Sequence, residues 1–279
     1  MPDVNQMTVS GAVEAIRQLA VGGLGQFILF GVTPVAKKNP VGSYAASPRA
    51  PVNRVLAQVR QAGLDVLMWA DLCFCEYTDH GHCGVVDQSD PAWVVDNDLT
   101  VQRLAATAVA QAKAGADVVA PSGMMDGQVG AIRAGLDEAG FQGVAICAYS
   151  VKFASDLYGP FRDAGEGGMK FGDRRGYQMD YRRRREWRVE VEADVEQGAD
   201  IVMVKPAIAY LDIIHQVHRA VSVPVAAYHV SGEYAMLQAA ARLGWLELKP
   251  TVLEHTHAIK RAGADLILTY FAPQLLEWL

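Results

Sequence analysis

Lys113-Ala-Gly-Ala-Asp117 runs directly into Val118-Val-Ala120, and this junction decides the fold. The same junction recurs along the chain. Gln61-Ala-Gly-Leu-Asp65 precedes Val66-Leu-Met-Trp-Ala70, Glu196-Gln-Gly-Ala-Asp200 precedes Ile201-Val-Met-Val204, and Arg261-Ala-Gly-Ala-Asp265 precedes Leu266-Ile-Leu-Thr-Tyr270. In each copy a helical stretch stops at a glycine, as a left-handed C-terminal cap requires. A short run rich in apolar residues follows at once. Such a run between helices reads as a parallel strand buried on both faces.

Three further runs fit the scheme: residues 26–31, 144–149 and 225–228, the last starting just after Pro224. The intervening helices are amphipathic. Over residues 101–113 the apolar positions Val101, Leu104, Ala105, Ala108 and Ala112 follow helical spacing, with Asp98 or Thr100 as the expected cap. Alternation of strand and helix over the whole length means a parallel α/β fold. No glycine-rich dinucleotide fingerprint follows the first strand, which weighs against a Rossmann fold. The expected class is a (β/α)8 TIM-type barrel formed by one domain, residues 1–279. Only seven strands can be counted, because residues 1–10 are too polar for a buried strand. The first strand and an N-terminal arm are therefore expected to be missing.

The chain has 279 residues, 51% of them hydrophobic, and a net charge of −6. That suffices for one large core. It lacks the basic excess of a nucleic-acid or membrane binder. Its longest apolar runs, such as 266–271, fall far short of the roughly 20 residues that a bilayer demands. No signal peptide is visible, so a cytoplasmic protein is expected.

Two lysines lead the chemistry. Lys152 follows the 144–149 strand and Lys205 follows the 201–204 strand. Both fall at the C-terminal rim, where barrel active sites are built. Two close ammonium groups disfavour each other's charge, and burial adds to this. A lysine of lowered pKa forms imines with ketones. The bland alternative is a pair of rim lysines with their heads in solvent.

The segment Asp71-Leu-Cys-Phe-Cys-Glu-Tyr-Thr-Asp-His-Gly-His-Cys-Gly84 follows another strand end. Cys73, Cys75 and Cys83 can supply three thiolates, leaving one tetrahedral position open, as in a catalytic zinc site. A closed structural zinc with His80 or His82 as fourth ligand is the alternative. Cys147 lies mid-strand and reads as core. Residues 155–185 carry six glycines and seven arginines. This glycine-rich, basic insertion is expected to be an active-site lid over an anionic ligand.

Five segments carry a resemblance: Cys-Phe-Cys-Glu-Tyr-Thr-Asp-His-Gly-His-Cys-Gly (73–84), Ala-Pro-Ser-Gly-Met-Met-Asp-Gly (120–127), Lys-Phe-Ala-Ser-Asp-Leu-Tyr-Gly-Pro-Phe-Arg (152–162), Met-Val-Lys-Pro (203–206) and Tyr-His-Val-Ser-Gly-Glu-Tyr-Ala-Met (228–236). Together they closely resemble the porphobilinogen synthase, or 5-aminolevulinate dehydratase, family over nearly all of residues 5–279. The resemblance implies a (β/α)8 barrel that condenses two 5-aminolevulinate molecules into a pyrrole with loss of two waters. It implies Schiff-base roles for Lys205 (first substrate) and Lys152 (second), and zinc on Cys73, Cys75 and Cys83, with Asp71 close to the metal. Arg162, Arg174 and Gln178 match groups that hold the second substrate's carboxylate. Ser231 and Tyr270 match those that hold the first. Tyr158, Phe161 and Tyr228 match pocket walls, and Ser122 joins the substrate contacts.

Three departures qualify this. Met1-Pro-Asp-Val4 aligns well inside family sequences, so a homo-oligomer smaller than the family's octamer, a dimer, is expected. Met179-Asp-Tyr-Arg-Arg-Arg-Arg-Glu-Trp-Arg188 replaces the family's usual text, and four arginines at a helix start oppose its dipole. Glu186 matches a position linked to an allosteric magnesium between subunits, and the altered neighbourhood argues against that Mg2+ site. The loop after Cys83 reads as longer and adds Trp93. Alternatives to the synthase reading are a diverged paralogue acting on another amino-ketone and a non-catalytic zinc-binding subunit. No nucleic-acid or membrane partner is expected.

Overall fold

The computed structural model of the chain describes residues 1–87 and 94–279; Trp93 lies outside them. In chain order the regular elements are α1 (Val9–Val21), β1 (Gln26–Leu29), α2 (Pro51–Gln61), β2 (Leu67–Leu72), α3 (Asn97–Ala114), β3 (Val118–Pro121), α4 (Gln128–Glu138), β4 (Ala145–Lys152) and α5 (Gly159–Ala164). They continue with α6 (Glu186–Glu196), β5 (Ile201–Lys205), α7 (Leu211–Ala220), β6 (Val225–His229), α8 (Ser231–Arg242), α9 (Leu248–Ala262), β7 (Leu266–Thr269) and α10 (Ala272–Trp278). All seven strands read from the sequence are present. They form one parallel sheet in the order β1-β2-β3-β4-β5-β6-β7.

The recurring Gly-x-Asp has a double cause. Gly115 and Gly263 cap α3 and α9 at φ of 109° and 119°, a conformation in which a side chain would strain. A Cβ on Gly263 would also sit 2.6 Å from the His218 ring. The aspartate then ties adjacent strands at their starts. Asp117 accepts the Met68 N–H at 2.7 Å, Asp200 that of Ile146 at 2.8 Å, and Asp265 that of Val225 at 2.9 Å. Arg60 also pairs with Asp117. Each junction thus stops a helix and fixes the register of the strand beside it.

Two apolar layers result. Met68, Ala70, Val119, Ile146, Val202, Val204 and Val225 face the surrounding helices. Trp69, Val118, Ala120, Cys147, Tyr149, Met203, Ala226 and Tyr228 fill the inside of the curled sheet. Cys147 is therefore core, as read. Among the described residues β1 and β7 do not pair with each other. A groove of about 500 Å3 separates them, lined by Phe30, Trp69, Tyr228, Leu268 and Tyr270 among others. The described residues form an open, seven-stranded version of the (β/α) barrel.

One boundary differs from expectation. The helix expected over 101–113 starts at Asn97, and its cap is Asp96, whose carboxylate accepts the Leu99 N–H at 2.9 Å. Asp98 lies in its first turn and Thr100 is buried within it, its hydroxyl donating back to Asp96 O and accepting from Val85 N. The polar residues at 96–98 hid a helical turn whose apolar neighbours start later. Among the described residues, no helix is long and apolar enough to cross a membrane.

Candidate active site

β4 and β5 present the two lysines side by side, because Lys152 stands in register with Lys205. Both are buried, at 5% and 8% exposure. The Lys152 ammonium donates to Ser122 O at 2.6 Å. Lys205 has aromatic rings on several sides: its Nζ lies 4.3 Å from the Tyr228 centroid, 5.1 Å from Tyr149, 5.2 Å from Tyr158 and 5.9 Å from Phe161. Burial, and secondarily the charge of Lys152, push Lys205 down to about 7, against the pull of Asp71. This is the condition for a nucleophilic amine near neutrality.

Asp71, from the end of β2, completes the floor. Burial raises it to about 6, while Lys205, Lys152 and the Ser122 hydroxyl draw it down. Its Oδ1 has no hydrogen-bond partner. Directly after β2 come Cys73, Cys75 and Cys83, all buried and free of disulfides. Their sulfurs lie within 4.8 Å of one another, with Cys73 and Cys75 at 3.4 Å. A tetrahedral zinc with bonds of about 2.3 Å needs sulfurs about 3.8 Å apart, so the trio fits such an ion. The thiols hydrogen-bond one another, and that network, with Arg174 and Lys152, brings Cys83 well below its ordinary value. The histidines are committed elsewhere. His80 Nε2 is 3.0 Å from Pro40 O, and its Nδ1 accepts the His82 N–H. His82 reaches Phe171 O and the Tyr177 hydroxyl. Neither is placed as a fourth ligand, which favours a three-sulfur site with an open position.

Residues 155–185 lie across this mouth. Arg174 is buried, and its Nη2 donates to Gly81 O and Gly167 O at 2.9 and 3.0 Å, joining the insertion to the cysteine loop. The joint is tight, since a Cβ on Gly81 would meet Gly168 O at 2.4 Å. Gln178 is buried with neither amide atom bonded, and Arg162 keeps an unpartnered Nε beneath its contact with the Tyr158 ring. These are spare donors and an acceptor near the lysines. Tyr158 donates to Phe153 O at 2.8 Å and also reaches Lys205 O. Ser231 accepts from Phe161 N and donates to Leu157 O, and the Tyr228 hydroxyl donates to that of Tyr270 at 3.4 Å. Phe161 packs edge-on against Phe30. Glu186, at the start of α6, lines a cavity of about 690 Å3 with Asp126, Glu190 and Gln178.

Tyr149 and Glu76 were not singled out by the sequence. Tyr149 is fully buried, lies under both ammonium groups and has an unpartnered hydroxyl. Glu76 is buried beside the cysteines with Oε1 unbonded. Tyr149 was legible only through the strand parity that places it inside.

Comparison with known proteins agrees with this geometry. Residues 1–278 match the family model described as delta-aminolevulinic acid dehydratase. Over all of the chain, the delta-aminolevulinic acid dehydratases of Halalkalibacterium halodurans and Synechococcus elongatus are each 50% identical, with 83% and 85% of their lengths covered. The solved structure of the Toxoplasma gondii delta-aminolevulinic acid dehydratase, in complex with its product porphobilinogen, superposes with a TM-score of 0.98. It is 41% identical, and the match covers 100% of this chain and 79% of that one.

Proposed function

The chain belongs to the delta-aminolevulinic acid dehydratase family, and from that premise we propose that its two buried lysines each hold one substrate as an imine. It is a lyase that condenses two 5-aminolevulinate molecules into porphobilinogen. One observation carries the assignment of roles: Lys152 and Lys205 are in register at adjacent strand ends, above one tyrosine ring and beside three converging thiols.

The free amine of Lys205 attacks the ketone carbon of one aminolevulinate, and water leaves as the imine forms. Lys152 captures the second ketone in the same way. Closure of the ring forms one carbon–carbon and one carbon–nitrogen bond, and displaces both lysines, so that two waters are lost overall. The rings of Tyr158, Phe161 and Tyr228 exclude solvent around Lys205. Ser231 and Tyr270 receive the first carboxylate. Arg162, Arg174 and Gln178 receive the second, with Arg174 exchanging its carbonyl partners for a carboxylate. Asp71, between the lysines and the sulfurs, is the carboxylate positioned to move protons. Cys73, Cys75 and Cys83 would hold zinc, whose Lewis acidity polarises a ketone oxygen and acidifies bound water. Residues 155–185 act as the lid.

The test incubates the zinc-loaded protein with 5-aminolevulinate, follows porphobilinogen by mass spectrometry, and traps imines with borohydride. Porphobilinogen with adducts at Lys205 and Lys152 is expected. Turnover without a lysine adduct, or an adduct without porphobilinogen, overturns the assignment. The dimer expected from the sequence is tested by native mass spectrometry, where an octamer rejects it.

A further inference from the structure

Three backbone oxygens within four residues of the lid are held by side chains from three different segments. The stretch Ala164-Gly-Glu-Gly167 leads the chain out of α5. Its amides close a turn on α5 itself: Gly165 N donates to Phe161 O, Glu166 N to Asp163 O and Gly167 N to Arg162 O. Glu166 has φ of 51°, a left-handed conformation that a residue with a side chain seldom adopts. A helix end leaves its last carbonyls without donors of its own, so they need outside partners. Here Gln6 Nε2 donates to Ala164 O at 2.7 Å, Lys38 Nζ to Glu166 O at 2.7 Å, and Arg174 Nη2 to Gly167 O at 3.0 Å.

The three donors are not equivalent. Arg174 belongs to the lid, and the mechanism above has it leave Gly167 O for a substrate carboxylate. Gln6 is exposed, on the segment before α1. Lys38 is half-buried and stands on a firm base. The N–H of Asn39, next to it, donates to Tyr77 O, and Asn39 O accepts from Asp79 N, so this part of the β1–α2 connection is stitched to the cysteine loop. Lys38 thus joins the lid to a fixed part of the rim and has no share in the chemistry. The held turn lies one helical turn from Phe161 and Arg162. Phe161 is a wall of the Lys205 pocket, and Arg162 has a spare Nε. A shift of the turn carries both with it.

We propose that Lys38 is a positioning residue: by holding Glu166 O it latches the end of α5 and keeps Phe161 and Arg162 over the site while Arg174 turns to substrate. Its effect on catalysis rests on the reading of Arg162 and Arg174 as carboxylate ligands. Without the latch the lid is open for a larger share of the time before substrate arrives. Apparent affinity then falls by the fraction still closed. Bound substrate pulls the lid shut, so turnover at saturation recovers.

The experiment measures kcat and KM for 5-aminolevulinate in the zinc-loaded protein. Beside it, trypsin cleavage after Lys170 and Arg175 is timed without substrate and mapped by mass spectrometry, with thermal melting as a check on folding. In Lys38→Met, KM rises about fivefold, the factor that one exposed hydrogen bond supports, while kcat stays within about twofold. Cleavage of the lid quickens by a similar factor. Lys38→Arg, which still donates to Glu166 O, restores both values. Lys37→Met, which removes the same charge one residue away, leaves both at wild type. Gln6→Ala moves both in the same direction as Lys38→Met. Unchanged cleavage in Lys38→Met overturns the latch. Faster cleavage with unchanged KM, or a fall in kcat alone, overturns the positioning role. An equal rise of KM in Lys37→Met overturns it too, because general attraction of the anionic substrate would then suffice. A wild type that makes no porphobilinogen counts against the assigned function instead, and the cleavage contrast still decides the latch.

Discussion

Replacing Lys152 by methionine raises the pH at which Lys205 captures a ketone by about one unit. The reasoning starts from two distances. Both ammonium groups lie over Tyr149, at 5.7 and 5.1 Å from its centroid, so their separation cannot exceed those distances laid end to end, about 11 Å. Two unit charges that far apart, at an effective dielectric of about 20, repel by about 1.5 kcal/mol, or about one pKa unit. Lys205 stands at about 7, with burial as the larger cause and Lys152 the second. At pH 7 about half of it is therefore free amine, against about one part in 3,000 for an ordinary lysine. Methionine keeps the length of the stem and removes the charge, so the capture midpoint moves up and remains below the ordinary lysine range because burial persists. The assay is the initial rate of borohydride-trapped adduct at Lys205 across pH 5–10. Levulinate serves as a keto acid that lacks the amino group. A wild-type midpoint near 10, or a midpoint that Lys152→Met leaves in place, refutes the reasoning.

Lys205→Met abolishes product formation and raises the melting temperature of the substrate-free protein. Between pH 7 and 10.5 the unfolded chain holds the Lys205 proton that the folded chain has released, so wild-type stability rises with pH over that window, and the deficit is full below it, on the order of 5 kcal/mol. The advantage of the methionine variant therefore shrinks as pH rises from 7 to 10.5; an advantage independent of pH counts against a depressed lysine. Zinc content by elemental analysis falls from one per chain toward zero in Cys83→Ser and is unchanged in His80→Ala, because His80 is bonded to Pro40 and not aimed at the sulfurs; loss of zinc in His80→Ala favours the closed structural site. Gly81→Ala forces the lid off the cysteine loop, since its Cβ meets Gly168 O at 2.4 Å and Gly81 has φ of 77°. A drop of at least about tenfold in kcat/KM with a small change in melting temperature is expected, and unchanged kinetics would show that the contact is idle.

The fold was legible because one physical problem is solved repeatedly with the same residues. Each parallel strand follows a helix that must stop at once, and each buried strand start needs an acceptor for its neighbour's N–H. Gly115 with Asp117 and Gly263 with Asp265 answer both needs within a few residues, so the repeat exposes the strand count. The candidate reactive groups were legible for a related reason. Lysines are costly to bury at strand ends, and three cysteines clustered within eleven residues are more than a core needs. What stayed hidden depends on contacts between distant segments. His80 and His82 look like ligands by spacing, and only the fold shows them spent on Pro40, Phe171 and Tyr177. Asp96 was passed over as a cap because its helix begins polar and turns apolar later. The β4 bulge shows the limit most clearly. Alternation read from Cys147 and Tyr149 assigns Lys152 to the wrong face, and nothing within 145–152 corrects it. The correction comes from the pairing with β5, where a bulge between Ala148 and Val151 brings Lys152 opposite Lys205. In a parallel barrel the direction of a strand-end side chain is thus decided by the neighbouring strand as well as by its own.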